Sequence, residues 1–174
     1  MPDDFELVRR VRDGDDAAFG MLAERHARYL FGVAHTMAGN AADAEDLVQE
    51  TFAAAMRGRF RGEASVRTWL VGILVRRAAM FRRSRGRRER IFAPQGIEEP
   101  PDETSGASST EARLDLSTML GCLSPEHRAV IVLRELEGLM YEEMAAALEI
   151  PRGTVESRLH RAREELRKRF RGCL

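Results

Sequence analysis

The sequence predicts an all-α protein made of two small helical domains joined by a flexible linker. Three observations carry this. Apolar residues recur at i, i+3, i+4 and i+7 along most of the chain, and no stretch alternates as a half-buried strand does. The helical runs are bounded by Asp, Asn or Ser before them and Gly after them. Residues 93–110, APQGIEEPPDETSGASST, hold three prolines with Ser, Gly and acids. Such a segment buries too little apolar surface to offset its ordering entropy. The expected division is a first domain over 1–92, a linker over 93–110 and a second domain over 111–174, which a chain of 174 residues can supply.

In chain order, Asp3 or Asp4 caps a short helix with Phe5, Val8 and Val11 toward the core, and Gly14 ends it. Asp15 or Asp16 caps a longer helix, about 17–37, whose stripe is Phe19, Leu22, Ala23, His26, Leu30, Val33, Ala34 and Met37. His26 on that stripe reads as a packed, hydrogen-bonded core histidine rather than a ligand. After the Gly39-Asn40 turn, a helix over about 42–57 buries Ala44, Leu47, Val48, Thr51, Phe52 and Ala55. Its outer face carries Asp46, Gln49, Glu50 and Ala53. A basic, glycine-broken loop follows, RGRFRG at 57–62. The fourth helix starts near Ser65 and buries Val66, Trp69, Leu70, Ile73 and Leu74. Arg67, Arg76, Arg82 and Arg83 lie off that stripe. Arg77 lies on it and must pair or reach to water along its aliphatic stem.

The second domain begins with Ala112, Leu116, Met119, Leu120 and Leu123 at helical spacing. Ser124-Pro125 is an N-cap followed by proline at the first helical position. Ala129, Val130, Leu133 and Leu136 bury, and Gly138 ends that helix. Tyr141 to Arg169 then reads as two helices at an angle. Tyr141, Met144, Ala145 and Leu148 make one apolar face, and Pro151 stops the helix. Gly153-Thr154 opens the next, with Val155, Leu159, Ala162 and Leu166 buried. Glu156, Ser157, His160, Arg161 and Glu164 point outward. A plain surface helix would also look like this; the turn between two short helices and the arginines that follow favour a DNA-reading helix-turn-helix.

Arginine outnumbers lysine 27 to 1, and 28 basic residues balance 28 acidic ones. The balance hides four blocks. Residues 1–56 hold 5 basic and 11 acidic groups, net −6; 57–90 hold 12 and 2, net +10. Residues 91–151 hold 3 and 12, net −9; 152–174 hold 8 and 3, net +5. Screening acts over about 8–10 Å, so a zero total does not cancel a local basic patch. Arginines interleaved with Phe60 and Trp69 suit single-stranded nucleic acid, with guanidinium groups on phosphates and rings on unpaired bases. The four histidines stand in no metal spacing, and no nucleophile is paired with a base. Cys122 and Cys173 are far apart, so no zinc site or disulfide framework is indicated. No apolar run approaches the roughly 18 residues of a membrane span. These features predict a cytoplasmic, monomeric binding protein with no catalytic residues, no metal and no cofactor.

Taken together, the motifs closely resemble those of bacterial extracytoplasmic function (ECF) sigma factors of the sigma-70 family. The resemblance is carried by DAEDLVQETF at 43–52, by Thr68-Trp69-Leu70 with Ile73, by Leu123-Ser124-Pro125, and by GLMYEEMA at 138–145 with IPRGTVESRLHRAR at 150–163. It implies a region 2 domain and a region 4 domain. Asp46, Leu47, Gln49, Glu50 and Phe52 would bind core RNA polymerase at the β′ clamp, with further contact to β. Arg59, Phe60, Arg61, Trp69, Arg76 and Arg83 would melt and read the −10 promoter DNA. Arg152, Thr154, Glu156, Ser157, His160 and Arg161 would read −35. An anti-sigma factor is the further partner implied. Arg76 stands where the family commonly has asparagine, and Glu156 where a basic residue is common. Two other readings compete. A stand-alone helix-turn-helix regulator leaves DAEDLVQETF without a role. A nuclease built on Asp43, Glu45, Asp46 and Glu50 would need acids that instead spread around their helix.

Overall fold

The structure, a computed structural model, describes residues 2–58, 60–62, 64–92 and 118–170, without the side chains of 82–92. The linker 93–110 and the start of the second domain, with Ala112 and Leu116, lie outside the described residues. Among the described residues there is no strand. The helices are α1 (Asp4–Arg12), α2 (Asp16–Ala38), α3 (Ala41–Arg57), α4 (Val66–Phe92), α5 (Pro125–Ile131), α6 (Tyr141–Leu148) and α7 (Arg152–Arg169). A π-helical turn, Val132–Leu136, extends α5, and residues 118–121 are helical.

The helix starts are fixed by side chains that accept otherwise orphaned backbone N–H groups. Asp3 accepts from Glu6 at 2.8 Å, Asp15 from Ala18 at 3.0 Å and Asn40 from Asp43 at 2.9 Å. Ser65 accepts from Thr68 at 3.0 Å and Ser124 from His127 at 3.2 Å. Each such cap contributes about 1 kcal/mol. Helix α2 ends on Gly39 at φ +87°, a left-handed position that glycine takes without the clash a Cβ brings.

Helix α2 is the centre of the first half and packs on α1, α3 and α4; in the second half α7 packs on α5 and α6. Helix α4 also packs on α5 and α6, so the two halves share one wall. Two hydrogen bonds cross between the halves at a distance from α4. The Tyr29 hydroxyl donates to the Glu137 carboxylate at 2.6 Å, and Arg128 Nη1 donates to the Met37 carbonyl at 2.6 Å. Burial, then the Glu137 carboxylate, push the Tyr29 hydroxyl up to about 12, so it stays a donor at neutral pH.

Three expectations are corrected. Leu7, not Phe5, is the buried residue of α1; Phe5 is 53% exposed, with Val8 and Val11 half-buried. The cause is the anchoring of α1 through Asp4, which holds His26 Nε2 at 2.8 Å and Arg25. His26 is thus a buried, hydrogen-bonded histidine, as its stripe position suggests. Leu136 is exposed rather than buried, and Leu139 is buried in its place. The π turn causes this: Glu137 N bonds Val132 O five residues back, which rotates later side chains off the α-helical period. Finally, α6 ends at Leu148, before Pro151. Glu149 turns the chain at φ +55°, and Pro151 serves as the N-cap residue of α7.

Asp4 gives a stability test. Burial works to raise its carboxyl pKa, but hydrogen bonds from Arg25 and His26 prevail and hold it below its ordinary 3.8. Its contribution is therefore complete above pH 3.8 and is lost as pH falls through the lowered folded value. Urea unfolding of Asp4→Asn should show a deficit of about 0.5–1 kcal/mol at neutral pH that disappears below that window. A deficit unchanged at low pH would mean the asparagine harms packing instead.

Candidate nucleic-acid interface

Three surfaces follow from this packing. On α3, burial of Ala44, Leu47, Thr51, Phe52 and Ala55 against the core turns Asp46, Gln49 and Glu50 to solvent. The Glu50 carboxylate lies 3.9 Å from Arg77, which settles the placement of Arg77: half-buried, with its charge paired at the surface. A shallow groove runs between α2 and α3, floored by Ala27, Phe31 and Val48 and edged by Arg28, Glu45 and Gln49. Leu47 is 1% exposed and Phe52 8% exposed. Asp46, Gln49 and Glu50 are the residues this face exposes. Leu47 and Phe52, expected at the polymerase contact, are buried in the chain and shape the helix from inside.

The second surface is the aromatic corner between the 58–62 loop and α4. Phe60 lies 5.1 Å from the Trp69 ring and 5.5 Å from Phe5, centroid to centroid, both tilted. These three rings border a cavity of about 210 Å³ that also touches Val8, Phe19 and Met56. Both Phe60 and Trp69 are half-buried. Arg61 is exposed beside them. Further along the first half, Arg67 sits over the Tyr29 ring at 5.0 Å. Arg76 is half-buried and engaged: it donates to the Ala147 carbonyl and pairs with Glu149 at 3.1 Å. Arg59 and the side chain of Arg83 lie outside the described residues.

The third surface is α7. Val155, Leu159 and Ala162 are buried beneath it, while Glu156, Ser157, His160 and Arg161 are exposed and Thr154 is half-buried. This is the predicted outward face, brought together on the first three turns. Ser157 Oγ is tied to the Thr154 carbonyl at 3.0 Å. Arg152 is bound on two sides, by Glu156 at 2.8 Å through Nε and by Glu142 of α6 through Nη1. The hydrogen bond to Glu156, then Glu142, raise its pKa further. Glu142 was not singled out in the sequence; ten residues separate it from Arg152, and no helical spacing relates residues across the turn. On the inner side, Arg163 Nη2 reaches Glu135 at 2.7 Å and braces α7 to the π turn.

Two short helices at an angle, the second with a polar, partly basic outer face, define a helix-turn-helix protein carrying a second helical unit. Comparison with known proteins is more particular. The family model for Sigma-70 region 2 matches residues 22–88, and that for Sigma-70, region 4 matches residues 113–166. The chain is 36% identical to the ECF RNA polymerase sigma-E factor of Salmonella typhimurium, covering 92% of this chain and 90% of that protein. It is 38% identical to the ECF RNA polymerase sigma factor SigE of Mycolicibacterium smegmatis over 88% of this chain, and spans 63% of that longer protein. Its fold matches the sigma factor RpoE in complex with the anti-sigma factor NepR from Bartonella quintana, at TM-score 0.68 and 28% identity, covering 90% of this chain and 98% of that one. The chain belongs to the sigma-70 family, among the ECF sigma factors, which are transcription initiation factors and not enzymes.

The burial of α3 separates scaffold from surface. Leu47→Ala should cost about 2–5 kcal/mol in urea unfolding, whereas Gln49→Ala should stay within about 0.5 kcal/mol. Equal effects of the two would place Leu47 at the surface and refute the packing.

Proposed function

We propose that this chain binds core RNA polymerase and directs it to promoters whose −10 and −35 elements it reads with its two halves. The observation that carries the reading is the presence, on one chain, of an acidic docking face on α3 and two separate basic reading surfaces, on α4 and α7. Asp46, Gln49 and Glu50 dock on the β′ clamp, supported from inside by Leu47 and Phe52, and the second half contacts β. Phe60 and Trp69 stack on unpaired −10 bases, while Arg59, Arg61, Arg76 and Arg83 hold that strand. The α7 face of Thr154, Ser157, His160 and Arg161 enters the major groove at −35, with Arg152 and Glu156 at its leading end. Among the described residues no helix is long and apolar enough to cross a membrane, and the protein works in the cytoplasm as a monomer until it joins polymerase. An anti-sigma factor holds it inactive, a partner suggested by the solved relative caught in such a complex.

The test is in vitro transcription with core polymerase and a library of genomic fragments. Transcripts should start at a discrete set of promoters only when the chain is added. If none appears, and the chain alone binds duplex DNA tightly in gel shift, the stand-alone regulator replaces this reading. At residue level, Arg161→Ala should weaken −35 binding whatever the base sequence. It should also lower the slope of log affinity against log salt by about 1, the mark of one lost phosphate contact.

A further inference from the structure

We propose that Glu142 of α6 is a positioning residue for −35 recognition. Acting through Arg152, it sets the base preference of the helix-turn-helix and holds down its attraction for DNA of any sequence. The inference rests on the −35 reading of α7.

Glu142 is the second residue of α6, and Arg152 opens α7 directly after the N-cap residue Pro151. The Arg152 guanidinium is held from two sides, Nη1 by Glu142 and Nε by Glu156 at 2.8 Å. Glu156 is an ordinary i,i+4 partner on the same helix. Glu142 is different, because it reaches from the first helix of the motif to the first turn of the second. A guanidinium carries its donors in one rigid plane. Fastening one edge to Glu142 therefore decides how the other edge presents the Glu156 carboxylate. Folding makes little use of Glu142. Its side chain is 62% exposed, and so open an ion pair stabilises little. Its neighbour Glu143 does the capping, accepting from the Met140 N–H at 2.7 Å.

The start of a helix attracts phosphate, because its first N–H groups lack helical partners and the dipole is positive there. On a reading helix that attraction acts on every sequence alike. At the start of α7 two carboxylates share one cation, so this end is net acidic. The exposed cations Arg161, Arg167, Lys168 and Arg169 come later on the helix. Arg152, engaged through two of its nitrogens, is kept from a phosphate. A correct site gives the acid something in return. A carboxylate held toward the major groove accepts from cytosine N4, a gain that a wrong base pair withholds. Loss of Glu142 frees Arg152 for a phosphate and lets the Glu156 carboxylate turn from the base edges. Attraction to any duplex then rises, and discrimination falls.

Glu142→Ala removes the carboxylate and suits a helix; Arg152→Ala removes the group through which it acts. Both are made in the full-length chain, singly and combined. Fluorescence anisotropy with a labelled duplex of mixed sequence, over a salt series, should show Glu142→Ala binding about threefold more tightly at low salt. The slope of log affinity against log salt should steepen by about 1, the mark of one gained phosphate contact. With core polymerase, transcription from a promoter recovered from the fragment library is compared with transcription from its single-base −35 variants. Glu142→Ala should reduce the preference shown by the unmodified chain about fivefold. In the Arg152→Ala background the same substitution should leave slope and preference unchanged. Equal changes in that background would mean that Glu142 acts by its own charge, which overturns the inference. An unmoved slope and preference in Glu142→Ala, while Arg161→Ala still weakens binding, overturns it too. If Arg161→Ala also leaves binding unmoved, the −35 reading of α7 has failed, and the inference with it.

Discussion

Residues 70–75 of α4 are buried without a break, so this helix has protein on every side at mid-length. Most helices of a small domain hide one stripe and show the other. A helix apolar all round needs a second neighbour, and here the first half covers one side while α5 and α6 cover the other. Everything else in the arrangement depends on this shared wall. It brings Arg128 to the end of α2 and sets Tyr29 against Glu137. It also places the helix-turn-helix so that α6 faces inward and α7 is turned to solvent with its reading face exposed.

Electrostatics explains why such a wall can form between two DNA-binding halves. Two strongly basic blocks would repel one another if they met. Instead, the wall brings Arg76 of the basic block against the acidic stretch that precedes α7, through Glu149 and the carbonyl end of α6. Tyr29 from the acidic first block meets Glu137 as a neutral donor rather than as a like charge. Arg128 meets the carbonyl end of α2, where the helix dipole offers partial negative charge.

Much of this was legible in the sequence. The caps Asp3, Asp15, Asn40 and Ser124, the outward face of α3 and the buried stripe of α7 all follow from local chemistry with helical period, and local chemistry is what a single sequence carries. Val71 and Val75 were legible too in principle: they complete an apolar belt around Leu70, Ile73 and Leu74, and such a belt signals two-sided burial. Leu136 was misplaced because a π turn inserts an extra residue into a helical turn, and nothing in VLREL marks it. Phe5 was misplaced because a carboxylate clamp set by Arg25 and His26, far along the chain, decides how α1 is rotated. Glu142 and Glu149 escaped notice because their partners lie across a turn or across the wall. Pairings of that kind have no period to read.

Glu156 shows how such a pairing changes the meaning of a residue. By position it is a carboxylate on the reading face of α7, where repulsion from phosphate would be expected to dominate. In the structure its Oε1 is held by Arg152 at 2.8 Å, and Arg152 is held in turn by Glu142 from α6. The three side chains form one network spanning both helices of the motif, with two acids around one cation. The two glutamates limit how far the guanidinium can swing, and Arg152 shields the carboxylates from an approaching backbone. Exposed ion pairs of this sort contribute little to folding, so the value of the network lies in orientation: it fixes the leading end of α7. Ser157, His160 and Arg161 stand exposed one turn further along. The glutamate departs from the commoner basic residue in sign, and with Glu142 it outweighs the single cation Arg152, so the group stays net acidic. Any attraction of this helix for phosphate must therefore come from the basic residues beyond the network.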